Sequence, residues 1–261
     1  MSSPPCVHTA VPGSHDRESS TATLPQIDRT VCTPVTSTSG NTTDDRTPIT
    51  DHILYINLDH RTDRREELER ELRTMLVDVG TCVERVSAVF VPERGHLGCA
   101  RSHVLAVEHA LKHDWPYVVI LEDDFMIHGD TTVSMWTDCM KTLWQHKDDW
   151  DVFLLVAYYA SYVQGEHSAM PNTRRLRSAS SAAGYVVQRH YYARLLENFH
   201  ESVARLERDN PTYETDCIDQ WWMRLQQRDR WYTSSPRPLA RQRPGFSDIG
   251  GRFLDYGHCG S

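Results

Sequence analysis

In a chain of 261 residues, 36 acidic side chains outnumber 28 basic ones for a formal charge of −8, and without a dense basic block this excludes a nonspecific nucleic-acid binder. No stretch approaches the ~20 apolar residues needed to cross a bilayer, and the N-terminus lacks the apolar core of a secretory signal, so a soluble cytoplasmic protein with no membrane span is expected. Seven scattered cysteines without a C-x-x-C pair fit reduced thiols, not a disulfide framework.

Residues 1–50 are rich in Ser, Thr and Pro and show no sustained period, so they read as a disordered tail. The Asn41-Thr42-Thr43 sequon within it would matter only in a secretory compartment. From residue 51 to 261 the pattern is that of one α/β domain. Ile53 to Leu58 form the first expected strand, and Leu68, Leu72, Met75 and Leu76 share one face of a helix over 63–76. A strand over 82–89 follows, then a helical face of Leu97, Ala100, Val104, Val107 and Leu111.

Tyr117-Val118-Val119-Ile120-Leu121 is apolar on both faces, as in a central strand covered by helices, and it runs into Glu122-Asp123-Asp124. Open α/β sheets bind ligands beyond the carboxyl ends of such strands. A helix over 131–145, a strand over 151–156 and a long irregular stretch, read as a substrate-facing loop, come next. A strand over 182–187 leads into a helix with Leu195, Leu196, Phe199, Val203 and Leu206 inward, and a second helix carries Ile218, Trp221, Trp222 and Leu225. After Trp231 the chain reads as a mostly irregular tail folded back over the sheet.

Three adjacent carboxylates suit a hard divalent cation, Mn2+ or Mg2+, better than zinc. In an extended chain Glu122 and Asp124 would face one way and Asp123 the other; Asp124 is expected to touch the metal, with Glu122 and Asp123 open between the metal's coordinated water, ribose and donor sugar. Arg61, Arg64 and Arg65 follow the first strand, where guanidinium groups can grip a phosphate. Asn57 offers an amide nearby. His96, Cys99 and His103 have the spacing of metal ligands on a helix, but no fourth zinc ligand is adjacent. Asp216 and Asp219 both suit a general base and both suit a helix start, and Asp219, deeper in the helix, is favoured as base. Of Trp221 and Trp222, at most one is expected to meet substrate.

Four segments together resemble glycosyltransferase family 25, which contains lipooligosaccharide and collagen galactosyltransferases and related enzymes of large DNA viruses. They are Ile56-Asn57-Leu58-Asp59-His60-Arg61-Thr62-Asp63-Arg64-Arg65, Gly95-His96-Leu97-Gly98-Cys99-Ala100-Arg101-Ser102-His103, Leu121-Glu122-Asp123-Asp124, and Ala183-Gly184-Tyr185-Val186-Val187. Asp216-Cys217-Ile218-Asp219 and Ser247-Asp248-Ile249 follow in the family's order. The resemblance implies a GT-A type, Rossmann-like fold and an inverting, metal-dependent transfer of a hexose from a UDP-sugar to a glycan or protein-linked hydroxyl. UDP-galactose is the implied donor, with UDP-glucose next. It also implies donor contacts from Asn57, Arg61, Arg64, Ser102, His103, Asp123, Gly184 and Tyr185, and a metal contact from Asp248. A phosphotransferase or nuclease would leave the Gly-Cys-Ser-His segment unexplained. A glycan-binding protein that keeps the fold without turnover is the nonenzymatic alternative.

Overall fold

A computed structural model describes residues 27–28, 48–75, 77, 83–165, 168 and 170–255. The expected disorder of the tail falls outside these residues except at 27–28 and 48–50, as do the sequon, Leu76, Cys6, Cys32, Cys82 and Cys259.

In chain order the elements begin with β1 (Ile27–Asp28), β2 (Ile53–Asn57), α1 (Thr62–Thr74), β3 (Val83–Ser87), α2 (Gly95–Lys112), β4 (Tyr117–Glu122), β5 (Phe125–Ile127) and α3 (Val133–Gln145). They continue with β6 (Val152–Leu154), β7 (Tyr158–Tyr162), β8 (Thr173–Ser180), β9 (Gly184–Gln188) and α4 (Tyr192–Leu206). The last are α5 (Tyr213–Asp216), α6 (Ile218–Trp221), α7 (Met223–Gln226), β10 (Trp231–Ser234), β11 (Ala240–Gln242), β12 (Gly245–Ser247) and β13 (Arg252–Leu254).

A nine-stranded sheet in the order β1-β3-β2-β4-β9-β6-β10-β8-β7 forms the middle layer. β3, β2 and β4 run parallel, whereas β9 is antiparallel to both β4 and β6. The alternation of β4 divides two cores: Val118 and Ile120 join the residues of α2 and α4, including Leu97, Val107, Leu195 and Phe199. Val119 and Leu121 join those of α1 and α3, including Leu68, Leu72, Trp136 and Leu143. This three-layer arrangement is the expected Rossmann-like α/β class, and its apolar central strand is covered on both faces.

Helix α1 buries Leu68 and Leu72, and Arg65 and Glu69 pair one turn apart where Glu69 also accepts from the Tyr55 hydroxyl. In α3 the Thr132 hydroxyl accepts from the Met135 amide at 3.2 Å, satisfying one free donor of the first turn. Leu111, expected on the inner face of α2, is instead exposed at the end of that helix.

Three expectations about the second half change. The stretch read as an irregular loop is a hairpin: β7 and β8 pair antiparallel, and β8 pairs with β10 inside the main sheet. Leu176 and Ala179 face inward among exposed arginines, so the polar residues concealed the strand. The tail after Trp231 supplies an inner strand, β10, and the short strand β11 that pairs with β5. The tryptophan helix is divided into α5, α6 and α7; Cys217 adopts an extended backbone (φ −62°, ψ 150°) and separates the first two. Within the segment read as a tail, Ile27 and Asp28 pair with Val86 and Arg85 at the sheet edge.

Candidate active site

Beyond the carboxyl ends of β2 and β4 lies a cleft of about 710 Å³. Ile56, Asn57, Glu122, Asp123 and Asp124 line its floor, residues 88–91 and α2 one wall, and residues 247–252 the opposite lip. The strand alternation continues for one residue past the apolar run, turning Glu122 toward α2. There its Oε1 lies 3.1 Å from His103 Nε2 and accepts from Cys99 Sγ at 3.3 Å. Burial alone would raise the Glu122 carboxyl, but the His103 and Cys99 contacts outweigh it and hold it below its ordinary value.

Asp123 turns the other way, as the alternation requires. The Asn57 amide donates to its Oδ2 at 2.8 Å and Arg64 to its Oδ1 at 2.8 Å. Burial raises this carboxyl against the pull of Arg64. Arg64 also donates to the Phe246 carbonyl in β12, and Arg61 pairs with Asp248, so the two arginines tie the start of α1 to the far lip.

Asp124 is the least satisfied acid of the group. Gln242 Nε2 donates to its Oδ2 at 3.2 Å, while its Oδ1 is buried with no hydrogen-bond partner among the described residues. Burial first, then the charges of Glu122 and Asp123, pushes its carboxyl up to about 8. A buried carboxylate oxygen with no donor, next to two more acids, fits a divalent cation with oxygen ligands. Asp124 is thus the acid best placed to meet a hard cation, while Glu122 is turned to Cys99 and His103 and Asp248, across the cleft, is engaged by Arg61.

Several residues expected at the donor lie elsewhere. His103 and Tyr185 are fully buried and hydrogen-bond each other at 3.0 Å behind Glu122, so His103 orients that acid and does not itself line the cleft. A Cβ on Gly184 would stand 2.6 Å from the Phe125 ring, so this glycine allows close strand packing beneath the acids. Ser102 borders the cleft, but its hydroxyl is committed: it donates to the Gly98 carbonyl at 2.7 Å and accepts from the Val89 amide at 2.8 Å. His96 packs at a tilt against the Tyr213 ring, centroids 4.5 Å apart, and does not join Cys99 and His103.

The two base candidates separate clearly. Asp216 accepts from Arg205 Nε at 2.7 Å and from the Thr212 amide at 2.9 Å, closing the short α5. Burial opposes ionisation there, yet the Thr212 amide and Arg205 keep the carboxyl below its ordinary value. Asp219 accepts from the Ser181 amide at 3.0 Å, and burial, with the charge of Glu122 opposing ionisation, pushes it upward. Trp222 is fully buried, while Trp221 is held between Arg205 and Arg224.

Gln242 and Ser181 were not visible as site residues in the sequence. The Ser181 hydroxyl meets Gln242 Oε1 at 3.3 Å, giving a chain from Asp219 through Ser181 and Gln242 to Asp124. Ser181 has φ +87°, a costly backbone for a serine that keeps its amide aimed at Asp219. Gln242 sits in a Pro- and Arg-rich stretch, and only the pairing of β11 with β5 brings it to Asp124. A pairing across so many intervening residues leaves no local pattern.

The acidic cleft lies at the carboxyl edge of the central strands, where open α/β sheets bind their ligands. Residues 93–212, just under half of the chain, match the family model "Glycosyltransferase family 25 (LPS biosynthesis protein)". That stretch holds the Gly95–His103, Leu121–Asp124 and Ala183–Val187 segments, and the match supports a glycosyltransferase similar to that family. No curated protein matches the chain.

Among solved structures it is similar to A197 from STIV, at 13% identity and a TM-score of 0.39 over 78% of this chain and 93% of that one. It is also similar to a glycosyltransferase involved in glycosylation of the major capsid of PBCV-1, at 9% identity and a TM-score of 0.36 over 60% and 66% of the two chains. A third is a mannose-1-phosphate geranyltransferase from Thermus thermophilus, at 11% identity and a TM-score of 0.39 over 78% and 74%. Likenesses this weak assign nothing to individual residues.

Proposed function

We propose that residues 51–261 form a metal-dependent, inverting hexosyltransferase that moves galactose from UDP-galactose to a hydroxyl of a glycan or protein-linked acceptor. The observation that carries the reading is Asp124, a buried acid with one oxygen unpartnered among the described residues, placed in a cleft whose lip is held by Arg61 and Arg64. Asp124 and Glu122 are the residues that would hold Mn2+ or Mg2+, and Asp248, now paired with Arg61, would be the third. The cation, when bound, neutralises the diphosphate charge that grows as the glycosidic bond breaks.

The chain's own groups supply the rest. Arg64 and Asn57 hold Asp123 in the cleft, and Arg61 at its lip is the guanidinium offered to a diphosphate. Asp219 accepts the acceptor's hydroxyl proton as the new carbon–oxygen bond forms, while UDP departs from the opposite face with the bonding pair. Its upward-shifted carboxyl suits a base that must hold the proton once taken. The free thiols of Cys99, Cys139 and Cys217 support action in a reducing, cytoplasmic compartment, and no helix among the described residues is long and apolar enough to cross a membrane.

Incubation with a panel of UDP-sugars and Mn2+, followed by UDP release and thermal shift, tests the reading. One donor, or galactose with glucose as a weaker second, is the expected result. Release from no donor by a folded protein, or cleavage of nucleic acid instead, overturns it.

A further inference from the structure

Glu122 is shared between two sets of neighbours, and only one of them is made of oxygen. On its α2 side it meets a thiol and an imidazole set one helical turn apart, Cys99 and His103. The donor atoms of all three lie within 4.8 Å of one another. We propose that Cys99, His103 and Glu122 form a second metal site, selective for a thiophilic divalent cation with Zn2+ in first place, and distinct from the oxygen site at Asp124.

Geometry favours this. A tetrahedral zinc with Zn–S about 2.3 Å and Zn–N or Zn–O about 2.0 Å holds its ligand atoms roughly 3.3–3.6 Å apart. Sulfur to carboxylate is 3.3 Å and imidazole to carboxylate 3.1 Å, so two of the three separations need shifts of only a few tenths of an ångström. The imidazole is held from behind, since His103 Nδ1 lies 3.0 Å from the Tyr185 hydroxyl in a fully buried position. Such a partner fixes the ring and leaves Nε2 to face the ion. Cys99 and Glu122 border the cleft, so the fourth position opens toward solvent or substrate.

Ligand chemistry sets the selectivity. One thiolate, one neutral imidazole and one carboxylate balance a doubly charged ion, and sulfur with nitrogen favours zinc over manganese or magnesium. As the metal–sulfur bond forms, the Cys99 proton leaves to solvent. The imidazole proton moves from Nε2 to Nδ1, where the Tyr185 oxygen accepts it, so one proton is released per ion. The site stands independently of the donor and reaction proposed above. Only its consequence rests on that reading: with Glu122 turned to zinc, the oxygen site loses a ligand and transfer is inhibited.

The full chain, stripped of metal, is titrated with Co2+ alone and followed by absorption. The expected result is a thiolate-to-cobalt charge-transfer band with tetrahedral visible bands, saturating at one ion and displaced by Zn2+. Cys99→Ser abolishes the charge-transfer band, Cys217→Ser keeps it, and Tyr185→Phe weakens binding by about 10- to 100-fold. No thiolate band in folded wild-type protein, or a band of full intensity in Cys99→Ser, overturns the site. Should Cys99→Ser fail to fold, alkylation of wild-type protein read by peptide mass decides: Zn2+ slows labelling of Cys99, and an unchanged rate overturns it. UDP release with Mn2+ from a metal-stripped portion that never received Co2+ keeps the two ideas apart, since a cobalt band in one portion without transfer in the other sinks only the galactosyltransferase reading.

Discussion

One oxygen of Asp124 is buried without a donor among the described residues, and the rest of the acidic group is arranged around that deficit. Asp124→Asn keeps the side chain's shape and removes the charge. It is expected to weaken Mn2+ binding, measured by calorimetry, and to lower transfer by roughly 10²-fold or more, because several kcal/mol of charge stabilisation is lost. Wild-type activity in the variant, or full activity in EDTA, refutes the metal assignment. The two aspartates near the broken helix divide in the same manner. Asp219→Asn is expected to bind donor normally and to lose about 10² to 10⁴ in kcat. Asp216→Asn instead weakens charged hydrogen bonds to Arg205 and Thr212 and costs about 1.5–3 kcal/mol of stability, seen in denaturant melts. The folded-state pKa of Asp216 is depressed, so its contribution is present above its unfolded pKa and disappears as pH falls through the folded one. A dead but fully stable Asp216→Asn would reverse the assignments.

At the scale of elements, the wall of the cleft depends on how closely α2 approaches the loop after β3. A Cβ on Gly98 would stand 2.3 Å from the Val89 carbonyl, a backbone atom that cannot rotate away. Gly98→Ala is therefore expected to cost about 1–3 kcal/mol and to shift residues 88–91, with a lower Tm and a raised donor KM. An unchanged Tm would show that the loop yields freely. Elements with a clean period were legible: β2, α1, β4, α3 and α4 lie within a few residues of their expected positions. β8 was not, because arginine and serine fill the outward positions of a strand near the sheet edge. Nor was the break at Cys217, since nothing in Asp-Cys-Ile-Asp prescribes an extended residue between two helical turns.

Across the whole molecule the buried acids link stability to pH and metal. Asp123, Asp124 and Asp219 all have raised folded-state pKa values, with Asp124 at about 8. Between the ordinary carboxylate range and pH 8 the folded protein holds protons that the unfolded chain has released, so stability of the metal-free protein falls as pH rises through that window. Thermal melts from about pH 5 to about pH 8 should show Tm declining without metal. Saturating Mn2+ should flatten the decline and stabilise most at the alkaline end, where the carboxylates are ready to bind. A metal-free Tm that climbs with pH contradicts this electrostatic picture. Asp124→Asn should flatten the slope without any metal.

The sequence by itself determined the α/β alternation, the apolar central strand and the acids at its end, because periodicity and strand termini are local properties that residue order carries directly. It also placed Asn57, Arg64 and Asp123 in one cleft, since all follow strands that end at the same sheet edge. Only the tertiary structure decided that Glu122 turns to Cys99 and His103 and that His103 stands behind the cleft. It alone decided that Asp216 is committed to Arg205 and Thr212 while Asp219 is linked through Ser181 and Gln242 to Asp124. Those assignments depend on contacts between residues distant in the chain, where the direction of a side chain is fixed by what packs around it and not by its neighbours in sequence.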